Sequence, residues 1–145
     1  MDLDTLPGAS PAVAPASATG RARVLLVDDE PDALEVMSSA LATCGARVTT
    51  AASAQEALES LAREGFDVLL SDIAMPDADG YELIRDVRRL PHSPAARIPA
   101  AAVTAFASDD DRRRAIAAGY HAHLAKPVPP ALLAATVATL AQGSM

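Results

Sequence analysis

Five short apolar runs recur along the chain, and a helix-length stretch follows each of them. Arg23–Val27, Arg47–Ala51, Asp67–Ser71, Ile98–Val103 and Ala122–Ala125 carry the β-branched or continuously apolar character of strands. The stretches between them carry helix punctuation. Pro31 suits a first helical turn, and Gly45 suits the position just past the end of that helix near Cys44. Ser53 and Glu56 fit a capping box, with Gly65 closing the helix they open. Leu83, Ile84 and Val87 mark the buried side of a third helix after the Met75–Gly80 loop. Ser108 and Asp111 cap a fourth that stops at Gly119, and Pro129–Leu140 forms a fifth with Leu133, Val137 and Leu140 on one face. Strands that alternate with helices require a parallel sheet covered on both faces. Right-handed crossovers leave few ways to connect it.

With five strands, the doubly wound order that fits is the flavodoxin-like 2-1-3-4-5, a (βα)5 α/β fold. The working site of such a sheet lies beyond the carboxyl ends of its strands, near the switch point between strands one and three. In this chain strand one ends in Asp28-Asp29, strand three in Asp72, strand four in Thr104 and strand five in Lys126-Pro127. Any one of these has an ordinary explanation: an aspartate caps a helix, a threonine favours a strand, a lysine is solvated. Four strands delivering an acid, a hydroxyl or an amine to one edge make a site.

The chemistry follows from charge. Three clustered carboxylates repel one another, and a hard divalent cation relieves the repulsion. Oxygen-only ligands suit Mg²⁺ better than Zn²⁺. That cation and the Lys126 ammonium would make a positive pocket for a phosphoryl group, whose transfer needs mainly positioning and neutralisation. A carboxylate can be the nucleophile and form an acyl phosphate, and Thr104 can donate a hydrogen bond to a phosphoryl oxygen.

The runs Val-Leu-Leu-Val-Asp28-Asp29-Glu30-Pro31, Leu-Leu-Ser-Asp72-Ile-Ala-Met75-Pro76-Asp77-Ala-Asp-Gly80, Ala-Val-Thr104-Ala105-Phe106 and Lys126-Pro127 closely resemble bacterial response-regulator receiver domains of two-component signalling. The resemblance spans about Ala22 to Leu140. It implies Asp72 as phosphoacceptor from a histidine kinase or a histidine phosphotransfer protein, followed by altered binding of a downstream protein partner. It implies Asp29 as a direct Mg²⁺ ligand, Asp28 acting through water, and the Ala74 carbonyl completing the metal site. Thr104 becomes the switch hydroxyl, Lys126 the phosphoryl partner, and the bond before Pro127 cis, which only ~5–6% of X–Pro bonds are. Gly80 matches a loop-to-helix glycine, where positive φ is expected.

Three departures bear on output. His123 stands where the family usually has Tyr or Phe as a switch residue; an imidazole is smaller and can gain charge near neutral pH. Ala74 and Phe106 occupy positions that often carry polar side chains handling the attacking water. Neither can hold that water, so slow phosphate loss is expected. His121 and His123 lie at i,i+2 on one face without further metal ligands nearby, and His92 sits in a Pro-rich loop.

Competing functions are weaker. A phosphorylation-independent pseudo-receiver or adaptor is the alternative, and the intact acids, Thr104 and Lys126 count against it. A small hydrolase with an aspartyl intermediate would need a general acid–base and a substrate cap. The Asp2-Leu3-Asp4-Thr5 run resembles the aspartate pair of haloacid-dehalogenase phosphatases but has no strand before it. Nucleic acid is disfavoured by the net charge of −7, and the basic cluster Arg112–Arg114 follows Asp109–Asp111 at helical pairing distance. Cys44 is the single cysteine, which excludes an intrachain disulfide and suits a reducing cytoplasm. No apolar run reaches the roughly 18 residues of a membrane span, and no membrane partner is expected. Residues 1–20, rich in Pro, Ala, Ser and Gly, read as a flexible tail or interdomain linker ahead of a receiver over 21–142. That composition points to the carboxyl-terminal receiver of a hybrid histidine kinase, with a stand-alone regulator the other origin.

Overall fold

The computed structural model describes residues 19–75, 79–91, 93–105 and 108–142. Five strands, β1 (Arg23–Val27), β2 (Arg47–Ala51), β3 (Val68–Ser71), β4 (Ala100–Thr104) and β5 (Ala122–Ala125), alternate with five helices. The helices are α1 (Pro31–Thr43), α2 (Ala54–Arg63), α3 (Gly80–Arg88), α4 (Asp109–Ala118) and α5 (Pro130–Gln142). All strand pairs are parallel, in the order β2-β1-β3-β4-β5. This is the expected flavodoxin-like arrangement.

Alternation along the strands divides the core into two layers. Val24, Leu26, Val68, Leu70, Ala101 and Val103 pack with α1 and α5 through Met37, Leu41, Leu133 and Val137. Leu25, Val27, Leu69, Ala100 and Ala102 pack on the other face with α2, α3 and α4. Residues 24–27 of β1 are buried whichever way they point, as befits a strand covered on both sides. Each such aliphatic side chain contributes on the order of 1.5–3 kcal/mol by leaving water.

The element ends mostly follow their local signals. Gly45 has φ 96° directly after the last turn of α1. Ser108 and Asp111 form a full capping box on α4, and Gly119 closes it at φ 130°. Four expectations need correction. Ser53 accepts from the Glu56 amide, but Glu56 reaches back to the Ala52 amide, so α2 has only half a capping box. That helix ends at Arg63 on an extended Glu64, and Gly65 is not in the left-handed region. Gly80 also lacks positive φ. Glycine is required there by crowding, since a Cβ would lie 2.4 Å from the Asp72 carbonyl oxygen. Strand four starts at Ala100, because Pro94–Arg97 form a short 3-10 helix before it.

Residues 1–18 of the expected tail lie outside the described residues. Thr19, which that reading placed in the tail, is buried. Both its amide and its hydroxyl donate to the Cys44 carbonyl. No helix among the described residues is long and apolar enough to cross a membrane.

Candidate functional site

Register decides what stands at the carboxyl edge. Val27 of β1 pairs with Ser71 of β3, so the next residues, Asp28 and Asp72, emerge side by side. The Asp72 amide donates to the Val27 carbonyl at 2.9 Å, extending the ladder one step past the strands. Thr104 pairs with Ala125, and the Lys126 amide donates to the Thr104 carbonyl at 2.9 Å. The four strand ends singled out in the sequence therefore meet.

Asp28, Asp29 and Asp72 each present a carboxylate oxygen within 4.8 Å of the others. Asp28 and Asp72 are buried, and Asp29 is the most exposed of the three. Lys126 bridges the two buried acids: its Nζ lies 2.6 Å from Asp28 Oδ2 and 3.3 Å from Asp72 Oδ2. The remaining oxygens have local donors. Asp28 Oδ1 accepts from the Glu30 amide at 3.0 Å, and Asp72 Oδ1 from the Ala74 amide at 3.2 Å. Thr104 is fully buried at the end of β4. The bond between Lys126 and Pro127 is cis.

Burial raises the Asp72 carboxyl above its ordinary range; Lys126 pulls it back, and Asp28 pushes the same way as burial. For Lys126 burial acts downward. The hydrogen bond to Asp28 and the charges of Asp72 and Asp28 together outweigh it, and the ammonium is held above its usual value. The site thus holds a buried carboxylate, less favoured as an anion than in water, beside a fixed cation. Three converging hard oxygens, with one acid reaching solvent, fit a small divalent cation of the Mg²⁺ class.

The other predicted residues separate. His123 lies in β5 opposite Ala102, near Asp111 of α4. Asp111 is held below its usual range by hydrogen bonds from the Ser108 hydroxyl and amide, with His123 and Arg114 adding to them. His121 accepts the Ala100 amide proton on Nδ1 at 3.0 Å. Burial and the nearby Arg88 guanidinium hold its pKa down. Neither histidine belongs to a metal-capable cluster among the described residues. Ala74 is exposed, while His92 and Phe106 lie outside the described residues. In α4, Arg113 pairs with Asp110 as expected, but Arg114 instead lies over the Tyr81 ring at 4.2 Å.

Two residues were missed. Arg88 donates to the carbonyls of Ala96, Ile98 and Gly119 at the opposite end of the sheet. Tyr120 is buried directly behind Asp72, with its hydroxyl on the Gly80 carbonyl at 2.7 Å. Its one sequence signal is an aromatic residue placed immediately after a helix-ending glycine.

Residues 24–138 match the family model described as the response regulator receiver domain. The chain is 46% identical over 107 residues to an uncharacterized 14.6 kDa protein of Leptolyngbya boryana, covering 74% of this chain and 80% of that protein. It is 33% identical to the sensor histidine kinase RcsC of Salmonella typhimurium over 82% of this chain but only 12% of that protein. Among solved structures, a CheY-like receiver domain protein from Methanospirillum hungatei JF-1 superposes with a TM-score of 0.76 at 30% identity. That match covers 85% of this chain and 95% of the other.

Replacing Asp72 by Asn should raise the thermal midpoint of the metal-free protein by roughly 4 °C, the shift that ~1 kcal/mol gives in a domain of this size. The sign follows from the raised pKa. The folded state takes up the Asp72 proton more readily than the unfolded chain, so the charged group costs stability above its folded pKa. That cost disappears as pH falls through that value toward the unfolded 3.8. The gain from Asp72→Asn should therefore shrink on acidification. Thermal melts of both proteins at several pH values measure it, and a lower midpoint for Asp72→Asn at neutral pH would contradict it.

Proposed function

The chain belongs to the response regulator receiver domains of two-component signalling, and we propose from its site that Asp72 accepts a phosphoryl group from a phosphohistidine donor. The observation that carries this reading is the placement of Asp72: buried, raised in pKa and bridged by Lys126 to Asp28. In the proposed step an Asp72 oxygen forms a bond to phosphorus while the phosphorus–nitrogen bond of the donor breaks, and the imidazole leaves. Lys126 turns from Asp72 toward the incoming phosphoryl oxygens, with Asp28 holding its other side. Asp28, Asp29, Asp72 and the Ala74 carbonyl would hold Mg²⁺, Asp28 through water. Bound there, the cation neutralises the acids and the developing phosphoryl charge. The donor would be a histidine kinase or phosphotransfer protein, and the domain would act in the cytoplasm on a downstream protein. The receiver boundary we propose is 21–142, with the preceding residues serving as a linker.

Thr104 and His123 are the proposed switch. The Thr104 hydroxyl would turn toward a phosphoryl oxygen on Asp72, and His123 would swing inward beside β4, leaving the neighbourhood of Asp111 on α4. Burying a charged imidazole is costly, so the inward state should favour the neutral ring. Such a move would convert the charge at Asp72 into a changed α4–β5 surface.

Acetyl phosphate with Mg²⁺ should add one phosphoryl mass to the wild type and none to Asp72→Asn, read by intact mass. Equal uptake by both would refute the assignment. Uptake by neither would leave the adaptor reading in its place. For the switch, the His123 ring resonances should move when beryllofluoride and Mg²⁺ are added. Unchanged ring shifts would remove His123 from the switch.

A further inference from the structure

Behind the acid cluster lies a second polar group that the proposed chemistry does not use. Tyr120, Ser71 and Gly80 are all buried, Tyr120 at 2% exposure. The phenol donates to the Gly80 carbonyl at 2.7 Å. The Gly80 amide donates to the Ile73 carbonyl at 2.8 Å, tying the start of α3 to the residue after Asp72. A Cβ on Gly80 would meet the Asp72 carbonyl at 2.4 Å, Ile73 Cα at 2.8 Å and the Tyr120 hydroxyl at 3.0 Å. The phenol therefore presses on the point where the start of α3 touches the backbone of the phosphoacceptor.

Ser71 holds the same backbone from the strand side. Its hydroxyl donates to the Asp72 carbonyl at 2.9 Å, the oxygen that a Cβ on Gly80 would meet. Each hydroxyl has one proton: that of Ser71 goes to Asp72 and that of the phenol to Gly80. Burial pushes the Tyr120 phenol far above its ordinary range, so it remains a neutral donor at any physiological pH. The strand beside it makes room for the ring. Ala100 and Ala102 of β4 share its core layer and present only methyl groups.

We propose that Tyr120 is a positioning residue for the metal site. It acts through Gly80, whose amide is tied to the Ile73 carbonyl, to keep Asp72 and the Ala74 carbonyl in place against Asp28 and Asp29. This rests on the proposed role of that site. The hydroxyl touches neither metal ligands nor phosphoryl group. It fixes the main chain from which two of the ligands project, and it ties that main chain to the α4–β5 turn.

The test is Mg²⁺ affinity of the full chain, measured by titration calorimetry, for wild type, Tyr120→Phe and Val137→Ala. Tyr120→Phe keeps the ring and removes only the hydroxyl. Its dissociation constant for Mg²⁺ should rise roughly three- to tenfold, the range expected for one lost buried hydrogen bond. Val137→Ala leaves a cavity in the opposite core layer, under α5, and should leave Mg²⁺ affinity unchanged while lowering the thermal midpoint. Wild-type affinity in Tyr120→Phe overturns the proposal. So does an equal loss in Val137→Ala, which would make the effect one of general stability. A measurement without any variant adds to these: Mg²⁺ should slow hydrogen exchange of the Gly80 amide in the wild type, and unchanged exchange counts against the role. Absence of Mg²⁺ binding by the wild type would instead remove the proposed function, and this inference with it, before any substitution is compared.

Discussion

Lys126 holds two buried carboxylates that lie 98 and 54 residues away in the chain. Asp28 has no side-chain exposure and Asp72 only 6%, so neither charge is well solvated. Taking such groups out of water costs several kcal/mol each unless they are paired, and removing one partner of a buried pair costs about 3–5 kcal/mol. The ammonium therefore serves two needs. It allows β1 and β3 to end in acids at adjacent positions, and it keeps a cation at the place where a phosphoryl group would bring more negative charge. The stability of the metal-free fold and its readiness for anionic chemistry depend on the same contact.

Much of this was legible in the sequence, for physical reasons. In a parallel sheet the residue after each strand must emerge at one edge, so Asp28, Asp72, Thr104 and Lys126 could be brought together from strand order alone. Pro31, Gly45, Ser108 and Gly119 read correctly because each satisfies a helix end by local geometry. Signals failed where the cause was tertiary. Gly65 looked like a helix stop, but the chain leaves α2 extended. Gly80 looked like a residue needing positive φ, whereas its constraint is the backbone of Asp72 pressed against it. No local pattern reports a contact between residues eight apart.

Tyr120 and Arg88 show the same limit. Two of the chain's four aromatic residues, Tyr81 and Tyr120, are buried in the layer between the sheet and α2, α3 and α4. The alanines of β4 leave room in that layer for a ring, and a ring with a hydroxyl brings a hydrogen bond into the core. Arg88 reads as a surface residue in the last turn of α3, but its fork reaches three carbonyls around the start of β4 and the end of α4. Position in sequence marks helices and strands well. It does not say which polar side chain will satisfy a distant backbone.

The most direct test of the place given to Lys126 is the thermal midpoint of Lys126→Met with and without Mg²⁺. Methionine keeps the length of the side chain and removes the charge, leaving Asp28 and Asp72 to face each other. The midpoint should fall without metal by roughly 10 °C, the scale set by about 3 kcal/mol in a domain of this size. Mg²⁺ should then restore more stability to the variant than it adds to the wild type. A variant as stable as the wild type without metal, and no more responsive to Mg²⁺, would contradict the account.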